Sequence, residues 1–211
     1  MSERLLSGNG AALLRERAMA SRVQRALERL YQLDPLDDVD AFIAPAEDGE
    51  RETLFVRELE GVVELRLRLP SCFAEDDGAG ALDGVCQIIE GVSHFVYVAD
   101  RARRERSATQ LELELQAEVD KWVVLAASLG AHDARRGEAL RARLYEDVRF
   151  AHDEGTERGH RYRVASATAH RFVRALDRRF LARGRFAGAH AALRGFFRAN
   201  LEDKLRLARA A

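Results

Sequence analysis

The chain predicts an α+β protein, with an N-terminal helix and a small antiparallel sheet of about three strands followed by a bundle of about five α-helices. Three observations carry that expectation. Apolar residues recur at helical spacing over 11–33 and again from about residue 82 to the C-terminus, whereas 39–69 alternates with period two. The link "AEDGER" sets an Asp-Gly pair, a tight-turn signal, between two alternating runs. No internal repeat or low-complexity tract breaks the chain, so the change of period near residue 75 is the one boundary the pattern offers. It divides a helix plus β-meander, 1–75, from a helical bundle, 76–211, as two lobes or as parts of one continuous domain.

The first helix is read in "AALLRERAMASRVQRALERLYQL", residues 11–33, where Leu13, Leu14, Val23, Leu27, Leu30 and Tyr31 recur at helical spacing. It ends before "DPLDD", because Pro35 disfavours a helical residue ahead of it. Strands follow near 39–44, 53–59 and 61–69, the last two joined at Glu60-Gly61. Val63, Leu65, Leu67 and Leu69 fall on one face, with Glu64, Arg66 and Arg68 on the other. A sheet with one wet face needs a helix on its dry face.

"AEDDGAGALDG", 74–84, reads as a solvated acidic loop without calcium-loop spacing. The next segment, "LDGVCQIIEGVSHFVYVADRARRE", sets Val85, Ile89, Val92, Val96 and Ala99 on one helical stripe. "LELELQAEVDKWVVL" then opens with the alternation of a strand, but Ser107 and Gln110 fit an S-x-x-Q capping box, which makes it a helix. On that helix Leu111, Leu115, Trp122, Leu125 and Leu129 share a face with Glu118 in its middle. Glu112 points elsewhere and Glu114 lies at the edge. Asp133 is expected to cap a helix reaching about 150. Helices at about 158–183 and 187–208 complete the bundle. Phe196 and Phe197 cannot both face one narrow core line, so one is expected to serve an oligomer interface.

At 211 residues, 47% hydrophobic and 33% charged, the composition is that of a soluble globular protein. Charges interrupt every stretch well short of the ~20 apolar residues of a membrane span. Glu3, Arg4, Arg15, Glu16 and Arg17 occupy the place of a signal peptide's apolar region. A cytoplasmic location without a membrane partner is the expectation. Cys72 and Cys86 lack C-x-x-C spacing, so no disulfide framework, no metal and no cofactor is expected. The net charge of −1 hides a division: residues 1–134 carry −11 and residues 135–211 carry +10. Only Lys121 and Lys204 interrupt an otherwise all-arginine basic set.

Three constellations have chemistry to offer. Glu118, on an apolar stripe, needs an arginine, histidine or tyrosine partner to offset its desolvation. Its bland reading is a structural ion pair and its sharp reading a catalytic carboxylate. Glu90, His94 and Tyr97 are spaced by four and three, which stacks carboxylate, imidazole and phenol on one helix face suited to hydrogen bonding, to acid–base work or to helping bind a metal, though a single Glu-x-x-x-His is not the paired Glu-x-x-His of bundle di-metal sites. Finally, "HRYRVASATAHRFVRALDRRFLARGR" turns Ala165, Ala169, Phe172, Val173 and Leu176 to one side. His160, Arg163, His170, Arg171, Arg174 and Arg178 fall about half a turn away, and Arg185 joins them if the helix runs on. An arginine row suits phosphate oxygens or an acidic protein surface, without the interleaved aromatics of a single-strand binder.

Neither a G-x-S-x-G elbow nor a phosphate-binding glycine loop is present, so the pattern leans away from an enzyme. Two functions follow. One is a cytoplasmic interaction or assembly protein that joins complementary acidic and basic surfaces, with a protein partner or a homo-oligomer. The other is a nucleic-acid or phosphate-ligand binder that uses the arginine face, with or without a Glu/His site in the bundle.

Overall fold

A computed structural model of the chain describes residues 3–47, 50–59, 62–70, 80–128, 134–148 and 150–210. They fall into two compact units, the first Met1–Glu28 with Leu33–Arg106, the second Arg29–Gln32 with Ser107–Ala211. The class is α+β, with seven α-helices and three strands among the described residues.

In the first unit, helix α1 (Glu3–Tyr31) begins before the expected residue 11, because Gly8 and Gly10 dilute the pattern there without stopping the helix. Its last turn belongs to the second unit. The chain leaves α1 through Gln32 at φ 52°, and Leu33 N donates to Glu28 O at 3.0 Å. Residues 39–42 form a short 3-10 helix capped by Asp38, which accepts from Asp40 N at 3.0 Å. Strands β1 (Ile43–Pro45), β2 (Thr53–Leu59) and β3 (Val62–Leu69) then make a sheet in the order β1-β3-β2.

β2 and β3 pair antiparallel with Leu59 opposite Val62, as a connection through Glu60-Gly61 requires; those two residues lie outside the described ones. β1, by contrast, runs parallel to β3, with Ile43 opposite Leu67. The sheet is therefore mixed, which corrects the antiparallel meander. Alternation identifies strands but not their neighbours, and the link after β1 carries the chain past β3 to its far side. Pro45 has no N–H to give, which an edge strand tolerates.

Leu67 and Leu69 are buried, Val63 and Leu65 half-buried, and Glu64 and Arg66 exposed, as the period of two requires. Helix α2 (Gly80–Arg103) covers the dry face. Gly91 permits the approach, since a Cβ there would stand 2.8 Å from Leu67 Cδ1. Residues 80–84, expected in the acidic loop, form the first turn of α2, while 74–79 lie outside the described residues. From Gln87 to Tyr97 the helix is buried on nearly every side, broader than the single stripe expected. Arginines within this unit hold its acids: Arg17 with Asp40 at 2.5 Å, Arg68 with Glu47 and Glu50 at 3.4 and 3.3 Å, Arg51 with Asp83 at 3.5 Å, and Arg104 with Asp100 at 3.0 Å.

The second unit contains α3 (Gln110–Ser128), α4 (Ala134–Arg141), α5 (Glu157–Arg179), α6 (Phe186–Arg198) and α7 (Leu201–Arg209). α3 is indeed helical from the start of "LELELQAEVDKWVVL", but its capping box is Thr109-x-x-Glu112 rather than Ser107-x-x-Gln110. Thr109 Oγ1 accepts from Glu112 N at 3.2 Å, and Glu112 Oε2 accepts from Thr109 N at 2.8 Å. Two boxes overlap in this stretch, and the one with a carboxylate at its third helical position is formed. α4 passes into a π-helical turn at Ala142–Glu146, closed by Asp147 N donating to Ala142 O at 2.9 Å. Asp133 and Leu129 are outside the described residues.

The expected single helix over 187–208 is two. Asn200 caps α7 by accepting from Asp203 N at 2.9 Å, and that geometry breaks the run. The break also corrects the reading of the phenylalanine pair. Phe196 stacks on Phe172 with centroids 4.1 Å apart and Phe197 on Tyr31 at 4.2 Å, and both are buried within the chain. Among the described residues no helix is long and apolar enough to cross a membrane.

Candidate functional site

α5 is positioned from its first turn. Thr156 caps it, accepting from Gly159 N at 2.9 Å. Gly159 is required there, because a Cβ would stand 1.9 Å from the Asp153 carbonyl oxygen. Arg163 ties the preceding loop to the helix by donating to the carbonyls of His152 and Gly159 at 3.1 and 3.0 Å, with its guanidinium 4.7 Å from the Phe150 ring. It was expected in the basic row, and its hydrogen bonds engage it in local structure. Ala165, Ala169, Phe172, Val173 and Leu176 are buried, as the apolar side of the helix demands.

The opposite face is open. His160, Arg171, Arg174 and Arg178 are exposed, and at about 100° per residue they fall within roughly a sixth of a turn of one another. Among the described residues the side chains of these four form no hydrogen bond or ion pair. Asp177, an acid on the same helix, is held by Arg141 of α4. The face is thus a row of uncompensated guanidinium groups on a well-anchored helix.

His170 flanks that row and is half-buried. Its ring stacks on Tyr145 of the π-helical turn, with centroids 5.2 Å apart and planes 9° from parallel, and its Nε2 lies 3.6 Å from Glu146 Oε1. Tyr145 is fixed in turn by donating from Oη to the Glu118 carbonyl at 2.8 Å. Burial pulls the imidazole below the usual histidine range; Glu146 opposes this, while Arg174 and Arg141 reinforce it.

Glu118 was expected to have an arginine, histidine or tyrosine partner. Its carboxylate accepts from Lys121 Nζ at 2.7 Å, one turn along α3. Both groups are largely buried, so the pair is a local desolvated salt bridge. In the first unit, Glu90 and Tyr97 are buried and His94 half-buried on successive turns of α2. Tyr97 Oη accepts from Arg101, whose guanidinium lies 4.8 Å from the Tyr97 ring. Arg51 feels the charges of Glu52, Asp83 and Glu90. Glu90 therefore lies in a polar stripe that also includes Gln87, which donates to Asp83 at 2.7 Å.

Sequence reasoning missed a buried network in the second unit. Gln116 of α3 donates to Tyr31 Oη and to Asp120 Oδ1, both at 3.0 Å, and Tyr31 donates to Asp120. Lys204 of α7, fully buried, donates to Gln116 Oε1 at 2.5 Å and lies 4.3 Å from the Phe196 ring centre. Burial, followed by the Asp120 charge, holds the Tyr31 phenol well above its ordinary range. The signal available was the i, i+4 spacing of Gln116 and Asp120 between apolar neighbours.

No family model matches the chain. No curated protein and no solved structure matches it either.

Proposed function

We propose that this protein binds nucleic acid through its phosphate backbone, using the exposed face of α5. The observation that carries the reading is the row Arg171, Arg174 and Arg178 with His160, exposed and without an acidic partner among the described residues. Planar guanidinium forks match phosphate oxygens, and each phosphate they neutralise releases counterions. Residues 107–211 carry 20 basic and 14 acidic side chains, so the surrounding charge favours a polyanion. Phe172 is buried and the row contains no Phe, Tyr or Trp, which favours contact with the phosphate backbone over stacking on bases.

Self-assembly through acidic and basic surfaces fits less well. Asp40, Glu47, Glu50, Asp83 and Asp100 of the acidic part are held by arginines of their own unit, which leaves them poorly placed to serve a second copy. The test is size-exclusion chromatography with light scattering over a salt series, on the wild type and on Arg171→Glu/Arg174→Glu, with mass and absorbance at the nucleic-acid band read together. Co-elution with an added oligonucleotide, lost in high salt and in the double variant, is the expected result. A salt-sensitive oligomer that dissociates in the double variant while oligonucleotide is ignored would instead support the assembly reading.

A further inference from the structure

Nothing in the backbone-binding reading uses His170, yet its ring is held in a defined plane beside the arginine row. Tyr145 fixes its ring plane, and Glu118 of α3 fixes Tyr145 through its carbonyl. The π-helical turn that presents Tyr145 and Glu146 is an irregularity of the kind that recurs at functional sites. Arg174 lies one turn beyond His170 on α5, between it and the centre of the exposed face.

We propose, resting on the reading above, that phosphate binding on this face is coupled to uptake of one proton by His170. The charged groups that bear on the imidazole are Glu146 from the π-helical turn, Arg141 from α4, and Arg174 on its own helix. Arg141 is engaged by Asp177, and on α3 the Glu118 carboxylate is engaged by Lys121. α6 meets α5 through Phe172 and Phe196, about 200° around α5 from His170. Without ligand, burial and the two arginines outweigh the single carboxylate, and the ring stays neutral near pH 7.

A phosphate diester seated on Arg174 reverses that balance. It neutralises the arginine that weighs more on the ring and offers the protonated ring an acceptor oxygen, which makes a charge-assisted hydrogen bond. The protonated form is therefore favoured in the complex and disfavoured in the free protein. By linkage, affinity rises as pH falls through the histidine range, by at most about tenfold per pH unit for one proton. Phosphodiesters do not titrate in this range, so the slope belongs to the protein.

The test uses the full chain and a fluorescent oligonucleotide of mixed sequence, with anisotropy titrations from pH 7.5 to 5.5 at fixed ionic strength. His160 lies on the same face, so the comparison is made in a His160→Asn background with and without His170→Asn. Several-fold tightening towards pH 5.5 is expected with His170 present. The slope should flatten with His170→Asn, because asparagine takes up no proton in this range. Equal slopes in the two proteins would overturn the coupling while leaving backbone binding intact. Absence of oligonucleotide binding at every pH would overturn both. A second measurement does not depend on a substitution. The NMR titration midpoint of the His170 ring should move upward when the oligonucleotide is added, and a midpoint that stays or falls contradicts the proposal.

Discussion

α3 and α5 pack against each other, and both carry more charge than a buried helix pair needs, but they treat it in opposite ways. α3 buries Glu112, Glu114, Gln116, Glu118 and Asp120, and hydrogen bonds or ion pairs engage these groups. α5 shows Arg171, Arg174 and Arg178 to solvent and leaves them unengaged by the described residues. Desolvated and satisfied charge belongs to architecture, because each group would be costly to hold there alone. Exposed and uncompensated charge of one sign contributes little to folding, and its repulsion is relieved by a partner.

The contrast predicts that α3 substitutions cost stability and α5 substitutions cost binding. The largest effect is expected for Asp120→Ala, which removes the acceptor of both Tyr31 and Gln116. A loss of about 3 kcal/mol in urea unfolding is predicted, and a loss under about 1 kcal/mol would place the network outside the folding energetics. Next is Thr109→Ala, which opens the capping box at the start of α3 and should cost about 1 kcal/mol by the same measurement. Arg171→Ala is predicted to shift stability by no more than about 0.5 kcal/mol in either direction. A larger loss would mean that the exposed row is structural after all.

The smallest effect is a pH dependence. His170 has a folded-state pKa below its unfolded one, so its contribution to stability is intact above the unfolded value near 6.5. That contribution declines as pH falls from there towards the folded value, since the unfolded chain then binds the proton more readily. Denaturant midpoints measured between pH 7.5 and 5 should fall more steeply for the wild type than for His170→Asn. Identical curves would show that burial and the two arginines do not hold this imidazole below its unfolded value.

What the sequence makes legible follows from periodicity. The alternation of β3, the apolar side of α5 and the basic row opposite it were all readable, because a helix or strand with one wet face writes its burial into its spacing. α3 was harder. A helix buried nearly all round has no contrast between faces, so its spacing does not single out Gln116 and Asp120, which are core. Pairing was hidden for a different reason. The parallel placement of β1 beside β3 and the match of Lys204 with Gln116, 88 residues away, depend on tertiary geometry that no local pattern encodes. The split between α6 and α7 lay in plain view in "NLED", where an asparagine followed three residues later by an acid is a helix start.

The central claim is that the α5 arginines bind phosphates, and the salt dependence of oligonucleotide binding tests it most directly. Anisotropy titrations between 50 and 300 mM salt should give a log–log slope of about −2 to −3 for three phosphate contacts. Arg171→Ala, Arg174→Ala and Arg178→Ala should each flatten that slope by about 0.7 to 0.9. Binding whose slope and strength are the same in all three variants would contradict the account, because the phosphates would then be met by some other surface.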